Sequence, residues 1–375
     1  MKKAAIYIMR FGLSLIYAIL KLFPTKAGKV LFLSRQSNTL TQDFKMTQEE
    51  LRAEQPDIEI VTICHRLEGA GSGAAAFAKS TLRSMYHLAT SSVCVLDAYW
   101  PAVSILKHKK SLTVIQMWHA LGKIKQSGYQ TLGKASGRGE KIAKLMKMHE
   151  GYDYIIAGGA AWNPFYCKSF NTTEDKLVNC GLPRIDYLLA SQDANRRAVL
   201  DKYPQFAEKK VVLYAPTFRK NIELRWQPLT EIARENSEFV LVIKGHPNQR
   251  IELDELPDKA GIYTCPEFSS AEILAACDYL ITDYSAIAVE GAVLDKPTYY
   301  FVYDYEEYRE KNGMNIDLFE TIPGCVFRDA QDLIQNLRAG AYNREALENY
   351  RRRYLPENPG SSTKQICKLI REHLN

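Results

Sequence analysis

The sequence predicts an α/β protein made of two doubly wound domains, each with a parallel sheet covered by helices. Three observations lead to this prediction. The chain has 375 residues, enough for two domains at about 150 residues each. Short apolar runs of strand length alternate with helical stretches from one end of the chain to the other. Several runs are followed by Gly, Ser, His or Thr, as turns at the carboxyl edge of a parallel sheet often are.

The apolar runs are spread over the whole chain. They cover residues 30–33, 58–64, 93–96, 112–117, 154–157 and 177–180 in the first half, and residues 210–214, 240–244, 261–264, 279–282 and 298–302 in the second half. We expect the boundary between the domains to lie between Pro183 and Lys209. This stretch is polar and helical in pattern, and a new predicted strand follows it. The predicted domains are therefore residues 27–190 and 191–375, and the last helical segment, 343–374, can pack back on the first domain.

The first segment, residues 1–26, differs from the rest. Two lysines precede an apolar run over residues 4–20 that contains Arg10. A central arginine and a run of about 17 residues are unfavourable for a membrane-spanning helix, and residues 21–24 lack the small side chains of a signal-peptide cleavage site. We expect an amphipathic helix that associates with the cytoplasmic face of a membrane. The alternative is a helix packed on the protein's own core.

Composition excludes several classes of function. A net charge of +6 and a basic loop with little aromatic content do not favour nucleic-acid binding. The eight cysteines include no CxxC pair and several lie in apolar runs, which favours buried free thiols in a reducing compartment over disulfides or a zinc site. The sequence also has no DxD or HExxH pattern, so we expect no metal and no cofactor.

His119 follows the apolar run at 112–117, at a strand end where it would face a cleft. It is a candidate general base because imidazole titrates near neutral pH, and a purely structural histidine is the alternative. The next stretch, residues 121–149, carries seven Lys or Arg against one acidic residue, Glu140. This predicts a site for a polyanionic or membrane-held acceptor, with a solvated loop as the alternative.

Three strand ends in the second half carry groups that suit phosphate. These groups are Thr217 and Arg219 after the first run, Lys244 and His246 after the second, and Thr282, Asp283 and Ser285 after the third. Because parallel strands end at one edge of a sheet, we expect a pocket for a nucleotide diphosphate there. A helix predicted to begin near Ser285 would add backbone N–H groups for an anion; an ordinary helix cap is the alternative. A GxxxxGK[ST] loop is absent.

At these motifs the sequence resembles the CDP-glycerol glycerophosphotransferase family, the enzymes of teichoic-acid synthesis. The resemblance spans about residues 30–370 and implies a GT-B fold, in which two Rossmann-like domains face a central cleft. The combination of short motifs, in the family's order, is more specific than any one of them. The matching motifs are residues 116–119 (QMWH), 181–186 (GLPRID), 214–219 (YAPTFR), 245–247 (GHP), 282–285 (TDYS), 296–297 (KP) and 303–304 (YD).

The resemblance implies transfer of an alditol phosphate from CDP-glycerol or CDP-ribitol, with release of CMP. The implied acceptor is built on a polyprenyl-diphosphate lipid at the cytoplasmic face of the cell membrane. His119 would then remove the proton from an acceptor hydroxyl, and His246 would donate a hydrogen bond to a phosphoryl oxygen or to the leaving CMP. Arg219, Lys244 and the amides at Ser285 and Ala286 would neutralise the donor diphosphate.

Two stretches depart from the family's usual pattern. Ala120 replaces the glycine of a WHG sequence, and Ala286 and Glu290 stand where TDYSS followed by Phe-Asp is usual. Ala286 lacks a hydroxyl that could bind phosphate, whereas Glu290 keeps a carboxylate for the donor's ribose with a longer reach. Both donors therefore stay open, and the sequence does not distinguish a priming from a polymerising activity. The alternative functions are a GT-B glycosyltransferase using a sugar nucleotide and a catalytically inactive nucleotide- or lipid-binding relative.

Overall fold

The computed structural model describes residues 2–66, 74–134, 137–219, 224–234, 238–245 and 261–374. The chain divides into two compact units. The first unit consists of Met1–Leu121, Gln126–Asp186 and Pro356–Asn375, and the second of Gly122–Lys125 and Tyr187–Leu355. From the sequence, the division was expected at residues 190 and 191 with the C-terminal segment able to return. The chain changes unit at Asp186–Tyr187 and its last 20 residues, 356–375, belong to the first unit.

Each unit contains one six-stranded sheet, and every described pair of neighbouring strands is parallel. The first sheet has the order β2-β1-β3-β4-β5-β6 and the second β12-β11-β10-β7-β8-β9. This confirms the predicted α/β class with two parallel sheets. The strands are β1 (Lys29–Ser34), β2 (Glu59–Cys64), β3 (Val93–Leu96), β4 (Thr113–Gln116), β5 (Tyr154–Ile156), β6 (Leu177–Val178), β7 (Lys210–Tyr214), β8 (Phe239–Ile243), β9 (Ile262–Tyr263), β10 (Tyr279–Thr282), β11 (Thr298–Phe301) and β12 (Val326–Phe327).

Helices connect these strands. The α-helices are α1 (Lys2–Leu20), α2 (Gln42–Glu54), α3 (Ala74–Thr90), α4 (Pro101–Ile105), α5 (Glu140–Leu145), α6 (Asn163–Phe170), α7 (Pro183–Lys202), α8 (Glu231–Arg234), α9 (Ser270–Ala276), α10 (Ile287–Val293), α11 (Tyr305–Asn312), α12 (Leu318–Thr321), α13 (Ala330–Arg338), α14 (Arg344–Tyr354) and α15 (Ser362–Glu372). Short 3₁₀ helices cover Gly128–Thr131, Ala160–Trp162, Glu174–Lys176, Pro204–Phe206 and Gln227–Thr230. The central strands β3 and β8 are buried at every position, as expected for parallel strands covered on both faces.

The C-terminal helix α15 is fixed to the first unit at its N-terminus. The carboxylate of Asp186 accepts hydrogen bonds from the backbone N–H groups of Ser362 (3.1 Å) and Thr363 (2.7 Å). A carboxylate at this end satisfies free N–H groups and complements the helix dipole. Cys367, on the same helix, is buried against α2 and donates to the Thr47 carbonyl. The Asp of the GLPRID motif therefore has a structural role here.

Helix α1 packs on the first unit along one side only. Tyr17 is buried and its hydroxyl lies 2.7 Å from Nδ1 of His108, while Arg10 donates to the backbone oxygen of Leu145 at the end of α5 (2.7 Å). The opposite side exposes large apolar side chains: Tyr7, Ile8, Phe11, Leu15 and Ile19. By length and composition alone, the window Lys3–Leu20 could cross a membrane, and 6% of it is buried. The predicted apolar helix is therefore present, and its membrane association stays a prediction.

Candidate active site

Both sheets reverse their strand order at one point. In the first sheet the reversal lies between β1 and β3, and in the second between β7 and β10. Connections leave such a point in opposite directions, so a crevice opens at the carboxyl ends of the two strands, where ligands of open α/β sheets bind. Ser34 and Asp97 stand at this edge in the first unit, and Thr217 and Asp283 in the second. Topology thus gives each unit a candidate site of its own.

His119 follows β4 of the first unit, and one hydrogen bond defines its basic nitrogen. Nδ1 of His119 lies 2.9 Å from the backbone oxygen of Asp97. Because a carbonyl oxygen can only accept, Nδ1 carries the ring proton and Nε2 is the acceptor nitrogen of the neutral imidazole. A neutral ring with a defined tautomer is what a general base requires.

The backbone just before His119 is strained. Trp118 has a φ of +65°, a conformation that costs a residue with a side chain about 1–3 kcal/mol and is concentrated at functional sites. Its backbone N–H donates to Oε1 of Gln116 (2.9 Å). Its indole lies against the imidazole of His119, with ring centroids 4.1 Å apart. This turn therefore sets the direction of the His119 ring.

Asp97 is a buried carboxyl group at the end of β3. It accepts hydrogen bonds from the hydroxyl of Ser34 (2.6 Å) and the backbone N–H of Arg35 (3.0 Å). Burial raises its pKa to about 6 although these hydrogen bonds act in the opposite direction. Sequence reasoning passed over Asp97, even though a carboxylate directly after an apolar strand was a usable signal.

The second unit contains a buried ion triad formed by Arg219, Asp283 and Asp304. Nη1 of Arg219 donates to Asp283 (2.6 Å), and its Nε and Nη2 donate to the two oxygens of Asp304 (2.8 and 3.1 Å). The three side chains are 0%, 1% and 3% exposed. Burial alone would lower the pKa of Arg219, but the two carboxylates raise it above its usual value. The guanidinium is therefore charged and already neutralised by the protein.

The ion triad joins three of the sequence motifs. Asp283 accepts from the backbone N–H of Thr217 at 2.9 and 3.0 Å. The hydroxyl of Tyr284 donates to Asp304 (3.0 Å), and the ring of Tyr308 stacks on Tyr284 with centroids 4.0 Å apart. The YAPTFR, TDYS and YD motifs thus form one polar core at the carboxyl edge of the second sheet.

The remaining residues of the TDYS region lie at the start of α10. Thr282 is buried, and its hydroxyl donates to the backbone oxygen of Ala215 (2.7 Å). The first N–H to bond back into the turn belongs to Ala288, which donates to Ser285. Ala286 is the N-cap of α10, so its N–H group is among the donors that a helix start leaves without an intrahelical partner, and the N–H group of Ser285 directly precedes it. Glu290, half-buried, is one turn further along α10.

Lys125 joins the second unit's site, although sequence reasoning placed it in a basic loop for the acceptor. The short segment Gly122–Lys125 belongs to the second unit, where the side-chain amide of Asn315 donates to the backbone oxygen of Lys125 (3.1 Å). The ammonium group of Lys125 donates to the hydroxyl of Thr217 (2.6 Å). Burial lowers the pKa of Lys125, and the charge of Asp283 opposes that change. No sequence pattern indicates this pairing, because the two residues are 92 positions apart.

Lys244 is half-buried and held by the backbone rather than by a side chain. Its ammonium group donates to the carbonyl oxygens of Thr264 (3.2 Å), Cys265 (3.0 Å) and Phe268 (2.6 Å). Burial lowers its pKa. The lysine thus ties the end of β8 to the turn before α9. His246, the second predicted catalytic residue, lies outside the described residues.

The described candidates therefore fall into several groups. Thr217, Arg219 and Asp283 form one network in the second unit. Thr282 is bonded separately to Ala215, Ser285, Ala286 and Glu290 follow at α10, and Lys244 has its own set of partners. His119 belongs to the first unit. Across the described ranges, no group of three or more His, Cys, Asp or Glu side chains could hold a metal ion. The eight cysteines are free thiols.

Comparison with known proteins identifies similar chains. A profile of the family described as CDP-glycerol:poly(glycerophosphate) glycerophosphotransferase matches residues 15–372. The teichoic acid ribitol-phosphate primase of Bacillus spizizenii is 27% identical over 94% of this chain and 93% of its own length. The teichoic acid glycerol-phosphate primase of Bacillus subtilis is 28% identical over 77% of this chain and 76% of its own. The solved wall teichoic acid polymerase TagF has the same fold, with a TM-score of 0.74 and 17% identity over 100% of this chain and 98% of that chain.

Proposed function

The chain belongs to the CDP-glycerol:poly(glycerophosphate) glycerophosphotransferase family, and from this membership we infer that it transfers an alditol phosphate from a CDP-alditol in teichoic-acid synthesis. The observation that carries this conclusion is the family match over residues 15–372. Similarity to a ribitol-phosphate primase over 94% of the chain and to a glycerol-phosphate primase over 77% supports it. CDP-ribitol and CDP-glycerol are the two candidate donors.

We propose that the donor diphosphate lies at the carboxyl edge of the second sheet. The diphosphate would accept hydrogen bonds from the backbone amides of Ser285 and Ala286 and from the ammonium group of Lys125, which would also neutralise part of its charge. Glu290 would bind the ribose. Arg219 was predicted from the sequence as a phosphate ligand, but its buried guanidinium is already paired with two carboxylates. We therefore propose that Arg219 positions the motif segments around the donor, and that Lys244, bound to three carbonyl groups, does the same.

The proposed reaction is an in-line displacement at the phosphorus atom that carries the alditol. Nε2 of His119 takes the proton from an acceptor hydroxyl as the new oxygen–phosphorus bond forms. The bond from that phosphorus to the bridging oxygen breaks, and CMP leaves. His246 would donate a hydrogen bond to a phosphoryl oxygen or to CMP, as the sequence predicts. Such transfers depend mainly on positioning and on charge stabilisation.

We propose that the acceptor is a polyprenyl-diphosphate-linked lipid at the cytoplasmic face of the cell membrane. The exposed apolar side of α1, with Ile8 and Ile19 on it, supports a helix that lies in the membrane interface. Ile8→Glu combined with Ile19→Glu should reduce flotation with phosphatidylglycerol-containing vesicles. Ala194→Glu combined with Ala198→Glu, an equal change of charge at two exposed residues of α7, should float like the wild type. Equal flotation of all three proteins would exclude α1 as the membrane-binding element.

One experiment tests the proposed reaction and names the donor. Binding of CDP-glycerol, CDP-ribitol and UDP-glucose is measured by calorimetry, and CMP release is followed with a synthetic polyprenyl-diphosphate acceptor. We expect one CDP-alditol to bind and to yield CMP only when the acceptor is present. Tight binding of UDP-glucose without a response to either CDP-alditol would instead indicate a glycosyltransferase. Absence of turnover with every donor would contradict the transferase activity.

A further inference from the structure

A polar pocket of about 310 Å³ lies within the first unit. One wall comes from the loops that follow β1, β3 and β4, with Arg35, Tyr99 and Trp118. The other comes from the basic segment between β4 and β5, with Arg138 and His149. We call this site, whose lining includes these five residues, the arginine pocket. Because β1 and β3 flank the reversal point of the first sheet, it stands where a ligand of an open α/β sheet is expected.

The arginine pocket holds two guanidinium groups that form no ion pair with a carboxylate of the described residues. Nη1 of Arg35 donates to the backbone oxygen of Tyr99 (2.7 Å), but its buried Nε has no hydrogen-bond partner among the described residues. The guanidinium of Arg138 lies over the ring of Tyr99, 5.2 Å from its centroid. Within the described part of the chain, neither arginine has a carboxylate within 4.0 Å. Burial, and then the charge of Arg138, lower the pKa of Arg35.

The walls of the arginine pocket are tightly built. A Cβ atom on Gly137 would collide with the backbone oxygen of Thr131, so only glycine fits there. His149 has a φ of +63°, and its ring packs edge-on against Phe170 with centroids 4.9 Å apart. Strained residues held by packed rings are typical of preformed ligand sites. This argues against a solvated loop, which was the alternative for this segment.

The pocket also adjoins the two features that an acceptor must reach. Trp118, in one wall, lies against the ring of His119, the proposed general base, with ring centroids 4.1 Å apart. The segment of the other wall contains α5, and Arg10 of α1 donates to the last residue of that helix, Leu145. A ligand in the arginine pocket would therefore lie beside His119, in a segment braced by the apolar N-terminal helix.

We propose that the arginine pocket binds a phosphate group of the acceptor and so positions the acceptor hydroxyl for His119. This rests on the proposed function and assigns it a substrate class in the first unit. Two guanidinium groups that form no ion pair among the described residues suit an anion that accepts several charge-assisted hydrogen bonds. The phosphate can come from the diphosphate next to the lipid or from an alditol phosphate at the growing end of the acceptor. Farnesyl diphosphate and glycerol 3-phosphate serve as soluble probes of these two sources.

Arg138→Ala is the variant of choice. The side chain of Arg138 is exposed, whereas Arg35 also braces the backbone at Tyr99. We expect about a 10-fold to 100-fold loss of affinity for the phosphate probe that the wild type binds, as for a lost charge-assisted hydrogen bond. The KM for the lipid acceptor should rise by a similar factor, while the affinity for the CDP-alditol stays unchanged. Lys168→Ala removes one exposed charge elsewhere in the first unit and should change both values by less than about 2-fold.

The possible outcomes distinguish a failure of the phosphate-binding proposal from a failure of the proposed function. Binding of farnesyl diphosphate alone would identify the lipid diphosphate as the bound group, and binding of glycerol 3-phosphate alone the alditol phosphate. The proposal is overturned if neither probe binds the wild type, if Arg138→Ala keeps wild-type values, or if Lys168→Ala loses as much affinity. Absence of CMP release from every CDP-alditol would refute the proposed function, while the calorimetric comparison would still decide whether the pocket binds phosphate.

Discussion

The two units each place arginine at the carboxyl edge of a parallel sheet, but in opposite electrostatic states. Arg219, in the second unit, is 0% exposed and bonded to Asp283 and Asp304. Arg35 and Arg138, in the first unit, share a pocket, and neither guanidinium group has a carboxylate partner within 4.0 Å among the described residues. A buried arginine that is already paired has little left to offer a ligand, whereas an unpaired one gains from an anion. The position of an arginine at a strand end therefore does not define its role; its partners do.

The largest expected effect is on the rate of transfer and concerns the edge of the first sheet. His119→Ala should lower the rate of CMP release by on the order of 10²–10⁴, the usual contribution of a general base. The affinity for the CDP-alditol should not change, since the predicted donor ligands belong to the second unit. The measurement is single-turnover kinetics with calorimetry on the same samples.

A matched control for this variant is His373→Ala. His373 also belongs to the first unit, but its Nε2 contacts the hydroxyl of Tyr154 (3.1 Å) at the end of α15. Its loss should leave the rate of CMP release within about 2-fold of the wild type. A folded His119→Ala protein with near-normal turnover would remove His119 from the mechanism.

The next effect concerns the stability that the buried ion triad gives to the second unit. Asp304→Ala leaves Arg219 buried with only one of its two carboxylates, so the free energy of unfolding should fall by about 3–5 kcal/mol. The control is Glu306→Ala, which removes the partner of Arg328 from a pair whose side chains are 72% and 57% exposed. That change should stay within about 0.5 kcal/mol. Urea denaturation of both variants provides the comparison, and equal midpoints would show that the ion triad does not hold the second unit together.

A third prediction concerns the pH dependence of the first unit. Burial raises the pKa of Asp97 from 3.8 to about 6, so between these values the folded protein binds a proton that the unfolded chain has lost. The stabilisation is fully present below about pH 4 and is lost as the pH rises through about 6. Relative to Asp97→Asn, the wild type should lose about 3 kcal/mol of unfolding free energy between pH 3 and pH 7. A constant difference between the two proteins across this range would mean that Asp97 titrates normally.

The fold was largely predictable because its signal is local. Buried central strands such as β3 and β8 are continuous apolar runs, and sequence reasoning found them at nearly their observed bounds. The edge strands of the second sheet were less well defined: the run at 261–264 contains a strand of only two residues, Ile262–Tyr263, and β12 (Val326–Phe327) was not predicted. An edge strand pairs on one side only, so its length depends on a neighbour that the local sequence does not describe.

The sequence predicted where the site residues lie in the fold, but not which charged side chains form ion pairs with one another. Thr217, Arg219 and Asp283 were expected at one sheet edge, and the structure joins them in one network. The sequence did not indicate that Arg219 would be neutralised, because its carboxylates are 64 and 85 positions away. Arg35 was missed for a similar reason: its pocket forms only when the loop after β1 meets a segment about one hundred residues later. Charge neutralisation is a property of the folded chain.

The smallest expected effect tests whether the proposed donor site and the arginine pocket act independently. Lys125→Met keeps the length of the side chain but removes the ammonium group that donates to Thr217 (2.6 Å). If the ammonium group of Lys125 binds the donor diphosphate, its removal should lower the affinity for the CDP-alditol about 10-fold. The KM for the acceptor should stay constant. Lys134→Met, from the same basic segment but bonded to Gln126 in the first unit (2.6 Å), should leave donor affinity unchanged. Arg138→Ala is expected to do the reverse of Lys125→Met, raising the acceptor KM alone. If Lys125→Met and Arg138→Ala each changed both the donor affinity and the acceptor KM, the lysines and arginines of the basic segment would act through their summed charge rather than as parts of two separate sites.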